Sequence, residues 1–145
     1  MNRYILCTLV VGTLASVYGC SNVPKDELQG TWTGVSAENG EGSLEESDNP
    51  VSGYKIMFTD DKCVMSNKKK TTEMTYKVDE TSSQKSIDLL IDLPGGRTAI
   101  ERGIYCVEGD TLTLRLTKEV DQPRPTSFIV KKGDTDGLLV FKRKK

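Results

Sequence analysis

Histidine is absent from the 145 residues of this chain. Without imidazole, the Ser-His-Asp and Cys-His nucleophile systems, His-based zinc sites and the ordinary proton shuttle near neutral pH are all excluded. Carboxylates and lysines remain available for acid–base chemistry, but most common hydrolytic designs need the missing side chain. We therefore predict a protein that is not an enzyme and that has no metal site or other cofactor.

A long hydrophobic run is also missing. The longest apolar stretch without a charge, from Tyr4 to Val17, has roughly fourteen residues, whereas a transmembrane helix needs about twenty. It follows the basic start Met1-Asn2-Arg3 and is closed by Gly19 and Cys20. This three-part layout is typical of a secretory signal.

Cys20, directly after the compact Gly19, resembles the cysteine of a bacterial lipobox, which becomes a lipid-modified N-terminus when the signal is removed. On this interpretation residues 1–19 are a signal peptide, residues 20–27 a lipidated tether and residues 28–145 a single domain. We expect a lipoprotein of the cell envelope that is anchored to a membrane through Cys20 and faces the periplasm or the exterior. The alternative is a plain cleaved signal and a secreted, soluble protein.

An excess of positive charge is lacking as well. The chain has 20 Lys and Arg residues against 21 Asp and Glu residues. Proteins bind the phosphate backbone of nucleic acids through clustered positive charge. The sequence therefore predicts no nucleic-acid partner.

Cysteines are few, with four in the whole chain. Cys7 leaves with the signal and Cys20 is expected to carry lipid, so Cys63 and Cys106 remain in the domain. In an oxidising compartment these two are able to form a disulfide. The alternative is a pair of buried thiols that act as small hydrophobes.

Apolar and polar residues alternate along most of the chain after the tether, most clearly in Thr111-Leu112-Thr113-Leu114-Arg115-Leu116. Such alternation predicts strands with one buried and one wet face. The expected strands lie near residues 30–37, 53–59, 62–67, 71–78, 85–92, 98–107, 111–117, 126–131 and 138–143. Residues 36–52 and 118–126 are predicted to be loops, because the first holds little apolar area and the second contains two prolines.

No stretch has a helical period of useful length. The predicted fold class is therefore all-β, an antiparallel meander that closes into a β-barrel of about eight strands. Closure is favoured because it removes the exposed sheet edges that invite aggregation. A sandwich of two sheets is the alternative.

Several short motifs resemble those of lipocalin-like proteins. Gly30-Thr31-Trp32 is similar to the Gly-x-Trp start of the first lipocalin strand, and Leu138-Leu139-Val140-Phe141-Lys142-Arg143 looks like the last strand. With Arg124-Pro125-Thr126-Ser127-Phe128 before that ending, the order of motifs resembles a lipocalin-like family of uncharacterised secreted proteins common in planctomycetes and related bacteria. The resemblance implies a lipocalin-like β-barrel in which Arg143 packs over Trp32 and closes the barrel. It implies no activity.

The apolar face of the strands supplies the candidate ligand site. Its expected lining consists of Tyr54, Ile56, Phe58, Met74, Tyr76, Leu114 and Phe128. Met65, Leu89, Ile104 and Leu112 are expected on the same inward face. These side chains either line a cavity for a small molecule or fill the barrel as packed core.

The function predicted from these features is a binding module for a small apolar or amphipathic ligand. The alternative is an envelope interaction or scaffolding domain with a filled barrel and no ligand. Two acidic pairs, Asp60-Asp61 and Asp134 with Asp136, lie between the expected strands. We interpret them as turn residues, because neither has the spacing of a calcium loop.

Overall fold

The computed structural model of the protein describes residues 27–43, 51, 53–117 and 122–145. The expected signal peptide and the expected tether up to residue 26, Cys20 included, lie outside the described residues. Within the described ranges, no helix is both long and apolar enough to cross a membrane.

The described residues form nine strands in a single antiparallel sheet. In chain order the strands are β1 (Gly30–Asn39), β2 (Gly42–Ser43), β3 (Lys55–Thr59), β4 (Lys62–Ser66), β5 (Thr71–Asp79), β6 (Ser86–Leu93), β7 (Arg97–Glu108), β8 (Thr111–Leu116) and β9 (Gly137–Arg143). Each strand from β3 to β9 pairs with the next, and β1 pairs with both β3 and β9. The ring of eight strands is thus closed, with β2 as a short extension beside β1. The predicted all-β meander and its closure into a barrel are confirmed.

The alternating sequence produces the two faces of the barrel wall. In β5, Met74 and Tyr76 are buried, whereas Glu73, Thr75 and Lys77 between them are exposed. Every strand of the ring contributes side chains to one continuous apolar core. Burial of this inner face is the main favourable contribution to folding.

The predicted strand at residues 126–131 is wrong. Residues 122–136 contain no strand and lie against the outside of the barrel; we call them the outer segment. Its main contact is Arg115, which points outward because Leu114 and Leu116 on either side of it belong to the core. Alternation predicts a solvated side chain at this position, yet Arg115 is only 6% exposed.

Four acceptors of the outer segment surround the guanidinium of Arg115. Nη1 donates to the carbonyl oxygens of Ser127 at 2.8 Å and Ile129 at 2.5 Å. Nη2 contacts the carboxylates of Asp134 at 2.8 Å and Asp136 at 3.2 Å. The two aspartates therefore bind Arg115. The alternating pattern of β8 does not predict this ion pair.

A second arginine, in the outer segment itself, binds the wall from outside. Arg124 Nη1 donates to the carbonyl oxygens of Ile87 at 3.0 Å and Gly103 at 2.8 Å, and Nη2 lies 2.8 Å from the carboxylate of Asp88. Ile104 is buried but is on the outer face of β7, since Tyr105 next to it belongs to the core. The prediction that Ile104 faces inward is therefore wrong.

The predicted loop at residues 36–52 begins later than expected. Residues 36–39 belong to β1 and residues 42–43 form β2, whereas residues 44–50 and 52 lie outside the described part. The turn between β1 and β2 packs on the outer segment, with Gly40 N donating to the carbonyl oxygen of Asp134 at 3.2 Å. A β-carbon at Gly40 would lie 2.3 Å from the backbone nitrogen of Asp134, so this approach requires glycine.

Candidate ligand-binding site

One end of the barrel, where β1 begins and β9 ends, is filled by side chains; we call it the sealed end. Trp32 and Leu28 have no exposed surface there, and Trp32 Nε1 donates to the carbonyl oxygen of Leu28 at 2.8 Å. The guanidinium carbon of Arg143 lies 4.1 Å from the centroid of the Trp32 ring. Arg143 also donates to the carbonyl oxygens of Gln29 and Glu27, both at 2.7 Å. This arrangement combines a cation–π contact with satisfied backbone acceptors.

A pair of aromatic rings fills the sealed end further. Phe58 and Tyr76 meet edge to face, with ring centroids 4.9 Å apart and an interplanar angle of 74°. The Tyr76 hydroxyl donates to the carbonyl oxygen of Asp60 at 2.9 Å and accepts from Gln29 Nε2 at 2.9 Å. Burial raises the pKa of Tyr76 to about 12, so the hydroxyl stays a donor at ordinary pH.

Polar contacts continue around the margin of the sealed end. The Tyr105 hydroxyl donates to the carboxylate of Glu80 at 2.9 Å, and burial is the main cause that raises the pKa of Tyr105. Lys85 pairs with Glu27 and lies 3.8 Å from the carboxylate of Glu80. The hydrogen bond to Glu27 is the main cause that raises the pKa of Lys85.

Burial changes in one direction along the barrel. Strands tilt in a barrel, so a row of directly paired residues climbs from one end towards the other. Five such inward-facing rows are Ile56–Met65–Thr72, Phe58–Cys63–Met74, Tyr76–Leu89–Glu101, Ile87–Gly103–Leu116 and Leu114–Leu139–Ala37. The first named member of every row has an exposed fraction of 2% or less, whereas Val78, which pairs with Ile87 still nearer the sealed end, is partly exposed.

The last members of these rows are all more exposed than the first. Leu116, Met74 and Ala37 are 6%, 7% and 8% exposed, and Thr72 and Glu101 are more exposed still. We call the end of the barrel marked by these five residues the rim. Exposure of the inward-facing side chains therefore rises towards the rim, although Leu116, Met74 and Ala37 are still buried there.

Apolar side chains near the rim pack against the core without being fully buried. They are Tyr54, Met65, Ile91 and Leu139; Val78 and Val107, near the sealed end, are partly buried in the same way. Val51 also packs into this part of the core, against Gly34, where a β-carbon would lie 2.2 Å from Val51 Cγ1. The rim therefore presents an apolar surface that the protein's own side chains cover only in part.

Glu101 is the one acidic side chain among the rim residues. It faces inward because it is directly opposite Leu89, and cross-strand partners share a face of the sheet. Burial raises the pKa of the Glu101 carboxyl. Burial and, to a lesser extent, the Glu101 charge raise the pKa of the Cys63 thiol to about 12. Cys63 is on β4 and Glu101 on β7, so this charge acts on a different strand of the barrel.

The predicted lining residues fall into three groups. Ile56, Phe58, Tyr76 and Leu114 belong to the dry core near the sealed end. Tyr54 and Met74 lie towards the rim. Phe128 is in the outer segment, between the two carbonyl groups that bind Arg115, so its prediction as barrel lining is wrong.

Sequence reasoning missed Glu101 as a site residue. A signal was present, because Ala99, Glu101, Gly103, Tyr105 and Val107 share one phase of the alternation in β7. Tyr105 and Val107 are plainly inward-facing residues, and the same phase places Glu101 inside the barrel. Because Glu101 is charged and Ala99 and Gly103 are small, this part of β7 lacks the large apolar residues that normally mark an inward-facing phase.

In this structure Cys63 and Cys106 are both free thiols, and of the two only Cys63 is buried. Cys63 is buried in the core, whereas Cys106 is on the outer face of β7 next to inward-facing Tyr105. The barrel wall separates the two thiols. In the part of the chain that the structure describes, no group of three or more acidic or cysteine side chains is placed to hold a metal ion.

The fold and the site define a class of protein, an eight-stranded antiparallel β-barrel with one end filled by buried side chains and a rim that carries apolar side chains and one carboxylate. No protein-family model, no curated protein and no solved structure matches this chain. The resemblance to lipocalin-like proteins therefore stays a prediction that depends on the short motifs alone.

Proposed function

We propose that this protein is a lipocalin-like binding module that takes up a small amphipathic molecule at the rim of its barrel. A lipid on Cys20 anchors it to a membrane of the cell envelope in this proposal. The observation that carries the proposal is the difference in packing between the two ends. Trp32 and Leu28 are fully buried at the sealed end, whereas Tyr54, Met65, Ile91 and Leu139 near the rim are only partly buried.

The apolar residues near the rim suit such a ligand in area and in flexibility. An apolar group that buries about 200 Å² would gain about 5 kcal/mol before the cost of ordering both partners. Met65 and Met74 face this region, and their unbranched side chains repack easily around different shapes. The site is therefore better suited to a flexible apolar chain than to a rigid polar molecule.

A fluorescent probe tests the proposal directly. N-phenyl-1-naphthylamine, which is neutral at pH 7.5 and brightens in apolar surroundings, is titrated into the full chain carrying Cys20→Ser. We expect saturable binding in the micromolar range, about 8 kcal/mol of binding free energy. Met74→Trp, which fills the barrel from β5, should weaken binding about tenfold or more.

Met57→Trp is the matched control, because Met57 is on the outer face of β3 and 42% exposed. It introduces the same side chain in place of the same residue without filling the barrel, so binding should be unchanged. Absence of probe binding in the parent protein, or equal loss in both variants, would contradict the proposal. The first of these results would favour a scaffolding domain with a filled barrel.

The anchor is tested separately. The unaltered chain should fractionate with membranes, and Cys20→Ser should move it to the soluble fraction. Recovery of the unaltered chain in the soluble fraction would contradict lipidation while leaving the ligand proposal in place.

A further inference from the structure

We infer that the rim selects ligands with a positively charged head group, such as a protonated amine joined to an apolar chain, and that Glu101 binds this head group. The inference rests on the proposed function, because Glu101 faces the same interior. It adds a charge preference that packing alone does not supply.

The position of Glu101 makes its carboxylate available to a ligand in the barrel. The residue completes the row that starts at Tyr76 in the sealed end and passes through Leu89. On the same face of β7, its neighbours are Ala99 towards the rim and Gly103 towards the sealed end, where the side chain of Leu116 packs over the glycine. Glu101 is partly exposed, unlike Leu89 and Tyr76 in the same row.

No cation of the described part of the protein is paired with the Glu101 carboxylate. Arg115 and Arg124 bind groups on the outer wall, Arg143 binds carbonyl groups of the sealed end, and Arg97 is exposed at the start of β7. Burial is accordingly the only cause that shifts the pKa of Glu101. A carboxylate in apolar surroundings is unfavourable unless a partner compensates for lost hydration, and a ligand cation supplies that partner.

The surroundings of Glu101 also specify the rest of the ligand. Leu89, its cross-strand partner, is fully buried and apolar, and the inward-facing Ile91 follows on the same strand. A ligand whose cation meets Glu101 thus meets aliphatic side chains within one or two residues. The filled sealed end limits the depth available, so the apolar chain should be short.

Three molecules with the same eight-carbon chain measure the head-group preference. Octylamine, octanol and octanoate are used at pH 7.5 to displace N-phenyl-1-naphthylamine from the Cys20→Ser chain. We expect half-displacement by octylamine at a concentration about tenfold lower than by octanoate, with octanol between them. This comparison needs no further variant, so it stands even if a substitution at Glu101 disturbs folding.

Glu101→Gln removes the charge and keeps the shape of the side chain. We expect octylamine and octanol to become equal within about twofold, with displacement referred to the probe's affinity for the variant itself, and a parent-like circular dichroism spectrum shows that the barrel is intact. Glu73→Gln is the matched control, since Glu73 is on the exposed outer face of β5. It removes one negative charge from the protein and should leave the preference for octylamine unchanged.

The possible failures separate the two proposals. Equal displacement by the three molecules, or a preference that survives in Glu101→Gln, overturns the inference but leaves the binding module in place. If neither the probe nor any eight-carbon molecule binds, the proposed function and the inference both fall.

Discussion

The two ends of this barrel are stabilised in different ways. At the sealed end, Trp32, Arg143 and the Phe58–Tyr76 pair occupy the interior, and every polar atom described above has a partner. Near the rim, the interior contains apolar side chains that are only partly buried and the Glu101 carboxylate, which has no cationic partner among the described residues. The wall at that end is instead braced from outside by Arg115 and the outer segment.

The difference shows how a small barrel keeps a site without losing its stability. Side chains that plug the interior stabilise the fold but exclude a ligand, because interiors are close-packed. Contacts on the outer wall stabilise the strands near the rim without occupying the interior. In this molecule the plug, formed by Trp32, Arg143, Phe58 and Tyr76, is at the sealed end. The external brace, formed by Arg115 and the outer segment, is near the rim.

Removal of the plug should have the largest effect on stability. Trp32→Ala leaves a cavity in the dry end of the core and removes the platform under Arg143, so we expect a loss of about 4 kcal/mol in the free energy of unfolding. Urea unfolding followed by circular dichroism measures it. Ile129→Ala, at a site that is 68% exposed, is the control and should change stability by less than about 0.5 kcal/mol. Similar losses in both variants would mean that the sealed end is not the main support of the fold.

Removal of the external brace should have the next largest effect. Arg115→Met keeps a long apolar side chain but removes the donor that two carbonyl groups and two carboxylates share, of which Asp134 keeps the backbone N–H of Lys131, and we expect a loss of about 3 kcal/mol. Hydrogen exchange should also speed up in residues 122–136 before the barrel itself unfolds. Arg97→Met, at an exposed position in β7, provides the comparison. Unchanged protection of the outer segment in Arg115→Met would show that other contacts hold it.

One strand allows the two ends to be compared with a single kind of substitution. Leu112 is fully buried near the sealed end of β8, and Leu116 is 6% exposed at the rim. We expect Leu112→Ala to cost about 3.5 kcal/mol and Leu116→Ala about 2 kcal/mol, because the site near the rim is able to collapse or to admit water. Equal losses in urea unfolding would indicate that the rim is packed as tightly as the sealed end. This result would argue against a ligand site at the rim.

The sequence was sufficient for the barrel, because alternation acts locally and closure follows from the need to bury one face of every strand. Thr111 to Leu116 shows this clearly: the predicted strand 111–117 matches β8 to within a residue. The contact between Trp32 and Arg143 lies where the lipocalin-like motifs led us to expect it. The rows that run from the sealed end to the rim were not foreseen, since they depend on register and tilt.

Failures of prediction cluster where the partner is distant in the sequence. The apolar residues around Phe128 suggested a strand, but the carbonyl groups of Ser127 and Ile129 bind Arg115 instead of a neighbouring strand. Arg115 is in an outward position, so alternation predicted a solvated cation. Glu101 was overlooked for the opposite reason, as a charged residue in an inward position. Each of these side chains breaks the simple rule that charged residues face water.

Glu101 gives the smallest and most specific test of the difference between the ends. Burial raises its pKa in the folded protein, so the folded state holds this proton more strongly than the unfolded chain does. The resulting stability is fully present below the ordinary carboxyl pKa, about 4.3, and is lost as the pH rises through the raised pKa. Glu101→Gln should therefore melt at a temperature on the order of 2–4 °C higher than the parent protein at pH 8, with the difference shrinking towards pH 4. Glu73→Gln, with its charge on the outer wall, should follow the parent protein across this range. A parent-like melting curve for Glu101→Gln at pH 8 would mean that the Glu101 carboxylate of the parent protein is hydrated. The rim would then bind a cation no better than a carboxylate on the outer surface does.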